Sequence, residues 1–223
     1  SPLAMTLEQS RMKRETLDAM MAAIDEYLPV FRKYLRKKGE MLGHVNGLPW
    51  YDLFAPLGKA DKTYSIEEAK QYLIDTFTKL TPEMADLMRE AFENEWIDFY
   101  PRKGKEGGAF CAGAMWLKQS RILTNYDGYF GSVDTLAHEL GHAFHNRQIE
   151  NHAPLNQDYP MPVAETASTF NEVHLGKAAR MEASGEELLN LLENDLKEQT
   201  QCIVDIYSRY LFETAVFEQS QNK

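Results

Sequence analysis

The spacing of apolar and polar positions predicts a mainly helical chain. Between residue 7 and about residue 40, apolar side chains recur at intervals of three and four, which places them on one face of an α-helix. The residues that define this face are Leu17, Met20, Met21, Ile24, Leu28 and Phe31. The pattern predicts one long amphipathic helix whose methionines pack in the core.

Capping signals predict four more helices. Ser65 begins a capping box that favours a helix to about residue 79. Thr81 and Pro82 are typical of a helix start, and this helix should reach about residue 95. Ser132 is the expected N-cap of a helix from about residue 133 to residue 147, and Ser184 opens a last helix that ends near residue 218.

Two segments rich in turn-forming residues separate these helices. In residues 96–130, which are rich in glycine and aromatic residues, we expect a small sheet. The short β-like runs in this segment are 97–100, 109–116 and 121–125. Residues 43–58 are rich in glycine and proline and predict a loop held against the core by its large side chains. These side chains are Trp50, Tyr51, Leu53 and Phe54.

The pattern HExxH begins at His138 and carries candidate metal chemistry. Because His138 and His142 are four residues apart in a predicted helix, they share one face and can reach one metal ion. Glu139 then lies beside the metal as a general base for water. Gly141 costs a helix about 1 kcal/mol relative to alanine, which makes sense where another backbone or a substrate comes close. The alternative is a surface helix with two hydrogen-bonded histidines and no metal.

A third ligand is expected because zinc in a hydrolase usually has three protein ligands and one open position. Downstream, Pro162 suits the first turn of another helix. Glu165 and Glu172 are seven residues apart and therefore share a face of that helix. We predict Glu165 as the third ligand and Glu172 as the group that holds a ligand histidine or the base. The alternative, two solvated glutamates, is disfavoured by their apolar neighbours.

These segments together resemble the oligoendopeptidase F branch of the thimet oligopeptidase family of zinc metallopeptidases. The matching stretches are residues 50–57, 100–111, 121–126, 135–145, 163–172 and 208–213. The resemblance implies long helices with a small β-sheet that lines an HExxH zinc cleft, a gluzincin-like catalytic core. It also implies one Zn²⁺ per chain, bound by His138, His142 and Glu165, with Glu139 as the base.

The resemblance further implies where a substrate peptide binds. Leu123, Thr124 and Asn125 would belong to an edge strand beside the cleft, and such a strand can pair with an extended peptide through backbone hydrogen bonds. Gly107 and Gly108 would form a flexible loop near the same cleft. The expected substrates are short unfolded oligopeptides, cleaved at internal bonds by water that zinc and Glu139 activate.

Relatives of this kind are much longer, so we expect residues 1–223 to be one partial catalytic domain. Its expected parts are helices in 1–95, the sheet and glycine loop in 96–130, and the zinc-site helices in 131–218. In the family, a later segment supplies a histidine and tyrosines that stabilise the tetrahedral intermediate. An alternative function is therefore a non-catalytic fragment that binds zinc or peptide. A third alternative is an HExxH carboxypeptidase or aminopeptidase, for which the sequence shows no group that binds a chain terminus.

The charge of the chain bears on its partners. The net charge is −10, and from residue 132 onward 15 acidic residues face six lysines and arginines, a balance of −9. This excess argues against nucleic acid as a partner. It favours cationic peptides or metal capture, although solvated helix faces explain it equally well. Apolar faces exposed by absent segments would favour self-association or association with those segments.

Localisation and two side chains complete the predictions. No run approaches the roughly 18 apolar residues of a membrane span, and no signal-peptide core begins the sequence. Cys111 and Cys202 form no CxxC pattern, which favours reduced thiols in a cytoplasmic protein. Cys111 is interpreted as a buried structural residue, with a reactive role as the alternative. His145 is either a packed residue or a group close to the metal.

Overall fold

Helices form most of the chain in the computed structural model, which describes residues 1–58 and 62–220. The helices are α1 Pro2–Gln9, α2 Arg14–Met41, α3 Ile66–Thr78, α4 Pro82–Glu93, α5 Phe130–Ile149, α6 Met161–Glu182, α7 Gly185–Thr200 and α8 Ile206–Ser220. The strands are β1 Ile97–Asp98, β2 Phe110–Ala114 and β3 Gln119–Leu123. The mainly α fold with a small sheet is confirmed.

The chain divides into two compact units. One consists of Ser1–Lys59 and Ala183–Lys223, and the other is Ala60–Glu182. The second unit contains the sheet and the HExxH helix, and the first is built from α1, α2, α7 and α8. The single partial domain over 1–223 stays a prediction.

The first unit departs from the sequence-based helix boundaries at two places. The predicted helix from residue 7 is wrong at its start, because α1 ends at Gln9 and α2 begins at Arg14. Arg11 has a φ of 52°, which a right-handed helix cannot contain. The last predicted helix is interrupted by a π-helical turn, Gln201–Asp205, between α7 and α8.

A buried polar network connects the helices of this unit. The Lys38 ammonium, fully buried, donates to Glu193 Oε1 at 2.6 Å and to the Leu53 carbonyl at 2.8 Å. Tyr34 donates its hydroxyl to the same Glu193 oxygen at 2.9 Å. Burial of this pair is tolerated because the charges neutralise each other and their hydrogen bonds are made.

The prediction that aromatic residues hold the 43–58 loop against the core is wrong. Trp50 is 80% exposed, Tyr51 81% and Phe54 58%. The loop is instead attached through backbone carbonyls, of Leu53 to Lys38 and of Leu57 to the side-chain amide of Asn190 at 3.1 Å. Polar contacts of this kind have no signature in hydrophobic periodicity.

In the second unit, the predicted helix starts of α3 and α4 are confirmed. Ser65 and Glu68 form the reciprocal capping box, and Pro82 stands at the start of α4. For α5 the predicted N-cap is wrong, since the helix begins at Phe130 and Tyr129 is its cap. The predicted cap, Ser132, donates its hydroxyl to Asp127 at 2.6 Å instead.

The sheet has the order β1–β3–β2, with β3 parallel to β1 and antiparallel to β2. The expectation that Leu123 lies on an edge strand is therefore wrong, because β3 is the central strand. The reason is the pairing of Ile97 with Ile122, two apolar residues that are buried together in the core. Strand β2 lies at one edge of the described sheet.

Helices α5 and α6 cross in very close contact at Gly141. A Cβ at this position would lie 2.7 Å from the Ala167 carbonyl oxygen and 2.7 Å from Ser168 Cα. The close approach of another backbone, predicted from the sequence, is confirmed. Among the described residues, no helix combines the length and the apolar character needed to cross a membrane.

Replacing Gly141 with alanine should destabilise the second unit. The added methyl group would overlap the α6 backbone, which cannot move as a flexible side chain could, and overpacking typically costs about 1–3 kcal/mol. The measurement is the free energy of unfolding in urea, followed by circular dichroism.

Gly131 in the same helix provides the matched control, because nothing lies within 4 Å of a Cβ added there. Gly131→Ala should be neutral or should stabilise the helix by up to about 1 kcal/mol. Equal unfolding free energies for the two variants would contradict the close crossing of α5 and α6.

Candidate metal centre

Helices α5 and α6 bring three potential metal ligands to one point. The Nε2 atoms of His138 and His142 are 3.2 Å apart, and each lies 3.3 Å from Glu165 Oε2. Tetrahedral zinc with bonds of about 2.0–2.1 Å places its ligand atoms roughly 3.3 Å from one another. The donor set and its spacing therefore fit one zinc ion. No other group of three such side chains stands out among residues 1–58 and 62–220.

Hydrogen bonds orient two of these ligands. His138 Nδ1 and Glu172 Oε1 are 2.8 Å apart, so the proton on Nδ1 is held by the carboxylate and the Nε2 lone pair points to the other ligands. Ser168, fully buried, donates its hydroxyl to Glu165 Oε2 at 2.6 Å. Asn171 donates to the Ala137 carbonyl at 2.9 Å and ties α6 to α5 beside the site.

Glu139 is a buried carboxylate next to this cluster. It is 4% exposed, and its Oε2 has no hydrogen-bond partner among the described residues. Burial raises the pKa of Glu139 to about 7; the carboxylates of Glu165 and Glu172 act in the same direction, and His138 acts against it. A carboxyl group with a pKa near neutrality can both accept and return a proton.

The two ligand histidines differ in their electrostatic surroundings. Burial lowers the pKa of His138, but the hydrogen bond to Glu172 and the surrounding carboxylates outweigh burial, so the pKa lies above its usual value. Burial lowers the pKa of His142, which lies below its usual value even though the Glu165 carboxylate opposes the effect. Because a metal ion needs the unprotonated nitrogen, a proton competes with the metal more strongly at His138 than at His142.

A cavity of about 500 Å³ opens onto the three ligands and Glu139. Edge strand β2 and its flanks contribute Ala109, Phe110, Cys111, Gly113 and Met115 to its wall. Helices α5 and α6 contribute Asn146 and Ala164, and the loop before α6 contributes Gln157, Asp158 and Tyr159. The cavity thus combines the backbone of a strand edge with polar side chains from a loop.

The five residues predicted to bind substrate do not line this cavity. Gly107 and Gly108 are exposed, and Leu123 lies in the central strand. Thr124 is 2% exposed and donates its hydroxyl to the Phe99 carbonyl at 3.1 Å. Asn125 donates its amide to the carbonyls of Glu106 and Gly108, each at 2.9 Å, and so fastens the glycine loop. A role for these residues in substrate binding stays a prediction.

The sequence-based analysis missed the polar residues that complete the cavity. Asn146 donates to Ser120 Oγ at 3.2 Å and lies 3.8 Å from Cys111 Sγ, which links α5 to both β2 and β3. Its position four residues after His142 was the available signal. The loop residues Gln157 and Asp158 lie outside any helical or strand periodicity, so no pattern marked them.

Cys111 and His145 had no settled role in the sequence. Burial raises the pKa of the Cys111 thiol to about 12, so the thiol stays protonated, and Cys111 and Cys202 are both free. The His145 ring packs against Tyr159 with 4.3 Å between centroids. Burial lowers the pKa of His145, and its Nδ1 has no partner among the described residues. Neither residue belongs to the group of potential metal ligands, since Cys111 lies against Asn146 and His145 packs on Tyr159.

Comparison with known proteins agrees with this fold. The sequence profile of peptidase family M3 matches residues 3–202. Oligopeptidase PepF of Bacillus subtilis is 36% identical over 193 residues, which is 85% of this chain and 27% of PepF. The oligoendopeptidase F homolog of Mycoplasma genitalium is 31% identical over 78% of this chain and 30% of its own length. A presumed peptidase from Chlamydophila abortus, solved by crystallography, has a TM-score of 0.83 at 25% identity, covering 99% of this chain and 37% of that one.

The mainly helical fold with a small sheet is thus shared with this crystal structure. The chain belongs to peptidase family M3. Its similarity to oligoendopeptidase F proteins confirms the resemblance inferred from the sequence. The chain spans between a quarter and a third of the length of these relatives.

Replacing Glu172 with glutamine should weaken zinc binding about 10–100-fold, because a neutral amide holds the His138 ring less firmly than a carboxylate does. The measurement is zinc affinity in competition with a chromophoric chelator. Glu182→Gln, an exposed position at the end of the same helix, should leave the affinity unchanged. Equal affinities for the two variants would rule out this role of Glu172.

The pKa of Glu139 predicts a pH dependence of stability in the chelated chain. The folded value of about 7 exceeds the ordinary 4.5, so between these pH values the folded state holds more protons than the unfolded state. The contribution of Glu139 to the stability of the folded state is therefore lost as the pH rises through this window. The difference in unfolding free energy between Glu139→Gln and the parent should therefore change with pH. From pH 5 to pH 8 it should shift in favour of the variant by about 1–3 kcal/mol. A difference that does not change with pH would refute the raised pKa.

Proposed function

We propose that the chain carries the catalytic centre of a zinc-dependent endopeptidase that acts on short unfolded oligopeptides. The observation that supports this most strongly is the triangle of His138, His142 and Glu165, with sides of 3.2–3.3 Å, beside the buried Glu139. Membership of peptidase family M3 and the names of the relatives point in the same direction.

The residues of the chain divide the chemistry between them. When bound, zinc would supply Lewis acidity toward the substrate carbonyl and a water molecule. Glu139 takes the proton of the attacking water and passes it to the leaving amine, a role that suits a carboxylate buried beside the ligands with one oxygen unpartnered among the described residues. Glu172 and Ser168 hold His138 and Glu165 in place by the hydrogen bonds described above.

The peptide backbone is proposed to bind along β2 rather than along β3. Strand β2 pairs with β3 on one side only, and Phe110, Cys111 and Gly113 line the cavity. An extended peptide that adds to this edge gains main-chain hydrogen bonds whatever its sequence is. Such binding suits unfolded oligopeptides and needs neither nucleic acid nor membrane as a partner. A cytoplasmic location is part of the same proposal.

A specific observation favours the alternative, a protein that binds zinc and peptide but turns over slowly. Tyr159 is the only hydroxyl-bearing side chain among the described residues that line the cavity, and no lysine or arginine lines it. Donors for a developing oxyanion are therefore few, and oxyanion stabilisation is a large part of hydrolysis. Helix α8 exposes apolar residues, among them Phe212 and Phe217. Association of the chain with a second copy or with other segments of the enzyme therefore stays a prediction.

The test combines metal analysis with cleavage of a peptide quenched across an internal bond. The parent should contain about one zinc per chain and cleave the peptide internally, and a chelator should abolish cleavage. Glu139→Gln should keep the zinc and lose about 100-fold or more of the rate, the usual size of a general-base contribution.

The other outcomes separate the candidates. Zinc without cleavage would favour the binding function over the peptidase. A chain without zinc after supplementation would overturn both, and cleavage unaffected in Glu139→Gln would exclude Glu139 as the base.

A further inference from the structure

The loop before α6 holds a carboxylate in the wall of the metal cavity. Asp158 lines the cavity between Gln157 and Tyr159. Gln157 donates its side-chain amide to the carbonyls of Glu150 at 3.1 Å and His152 at 2.9 Å. The Tyr159 ring packs on His145 at 4.3 Å. Because both of its neighbours are anchored, Asp158 keeps a fixed place relative to the metal ligands.

The charge of the cavity is one-sided. Its described lining contains three acidic residues, Glu139, Asp158 and Glu165, and neither lysine nor arginine. Glu165 faces the two histidines, and Glu139 is buried with an unpartnered oxygen that faces the same space. Asp158 makes no hydrogen bond or ion pair with any described residue. After a metal has engaged Glu165, Asp158 is the exposed carboxylate left for a substrate.

We propose that Asp158 selects peptides with a positively charged side chain close to the bond presented to the metal. This inference rests on the proposed function and names the substrate class of the same site. Backbone hydrogen bonds along the edge of β2 do not depend on the peptide sequence. Selectivity between peptides must therefore come from side chains that line the cavity. Asp158 is exposed, so its attraction for a cation is screened by water and salt and amounts to a modest preference. Among the described residues that line the cavity, no lysine or arginine competes with a substrate cation for this carboxylate.

The test compares peptides that differ only in charge. In zinc-loaded Glu139→Gln chain, fluorescent peptides capped by acetyl and amide groups carry either arginine or its neutral isostere citrulline at successive positions. Fluorescence anisotropy gives the dissociation constants. At one or two positions the arginine peptide should bind about three- to tenfold more tightly at low salt. Asp158→Asn should reduce the ratio to below about twofold, and salt should weaken the preference in the parent.

Two controls make the result specific. Asp25→Asn carries the same substitution at an exposed position that does not line the cavity, and it should keep the arginine preference. Zinc content should be equal in all variants, so that loss of metal is not mistaken for loss of selectivity.

The outcomes distinguish this inference from the function on which it rests. Equal binding of arginine and citrulline peptides would overturn the inference and leave the peptidase proposal standing. Persistence of the preference in Asp158→Asn, or its loss in Asp25→Asn, would also overturn it. Failure of every peptide to bind would overturn the proposed function, and the inference with it.

Discussion

The close crossing of α5 and α6 is the constraint on which the site depends. A Cβ at Gly141 would lie 2.7 Å from two backbone atoms of α6, so no larger residue fits without moving a helix. Gly141 stands directly before His142, and Ser168 on the opposite helix holds Glu165. The side chains of Glu165 and the histidines are short, and their ligand atoms meet at 3.2–3.3 Å only because the two backbones are this close. The packing of two helices and the spacing of the ligands are therefore one geometric requirement.

The carboxylates at the crossing of α5 and α6 are stabilised by positive charge. Glu139, Glu165 and Glu172 lie close to His138 and His142, and the repulsion among these carboxylates, together with the burial of Glu139, is costly without a cation. In the metal-free chain, part of this cost is relieved by protons, which explains the raised pKa of His138 and of Glu139. A divalent cation would displace the histidine proton and favour the ionised form of Glu139. Metal binding would thus favour the form of Glu139 that the proposed reaction needs from its base.

The sequence predicted the relation between residues of the same helix well, and the pairing of residues far apart in the chain poorly. The positions of His138, His142, Glu165 and Glu172 followed from helix geometry, because spacings of four and seven residues fix a common face. The order of the sheet did not follow, because Ile97 pairs with a residue that is 25 positions away. Local signals also failed at two positions. Ser132 looked like a helix cap, yet its hydroxyl is engaged by Asp127. Trp50 looked like a core residue, yet 80% of it is exposed.

The two walls of the cavity offer different kinds of recognition, and Asn146 sets the distance between one of them and the metal ligands. Its amide binds Ser120 in β3, and because β3 pairs with β2 throughout its length, the open edge of β2 is held at a fixed place beside α5. Backbone pairing along that edge would accept many sequences with similar affinity. The loop that carries Asp158 is attached separately, through Gln157 and Tyr159, so its charge can vary without disturbing the strand or the ligands. If peptides bind as proposed, backbone binding and selectivity depend on different walls of the cavity, and a change in the loop alone would alter which peptides are preferred.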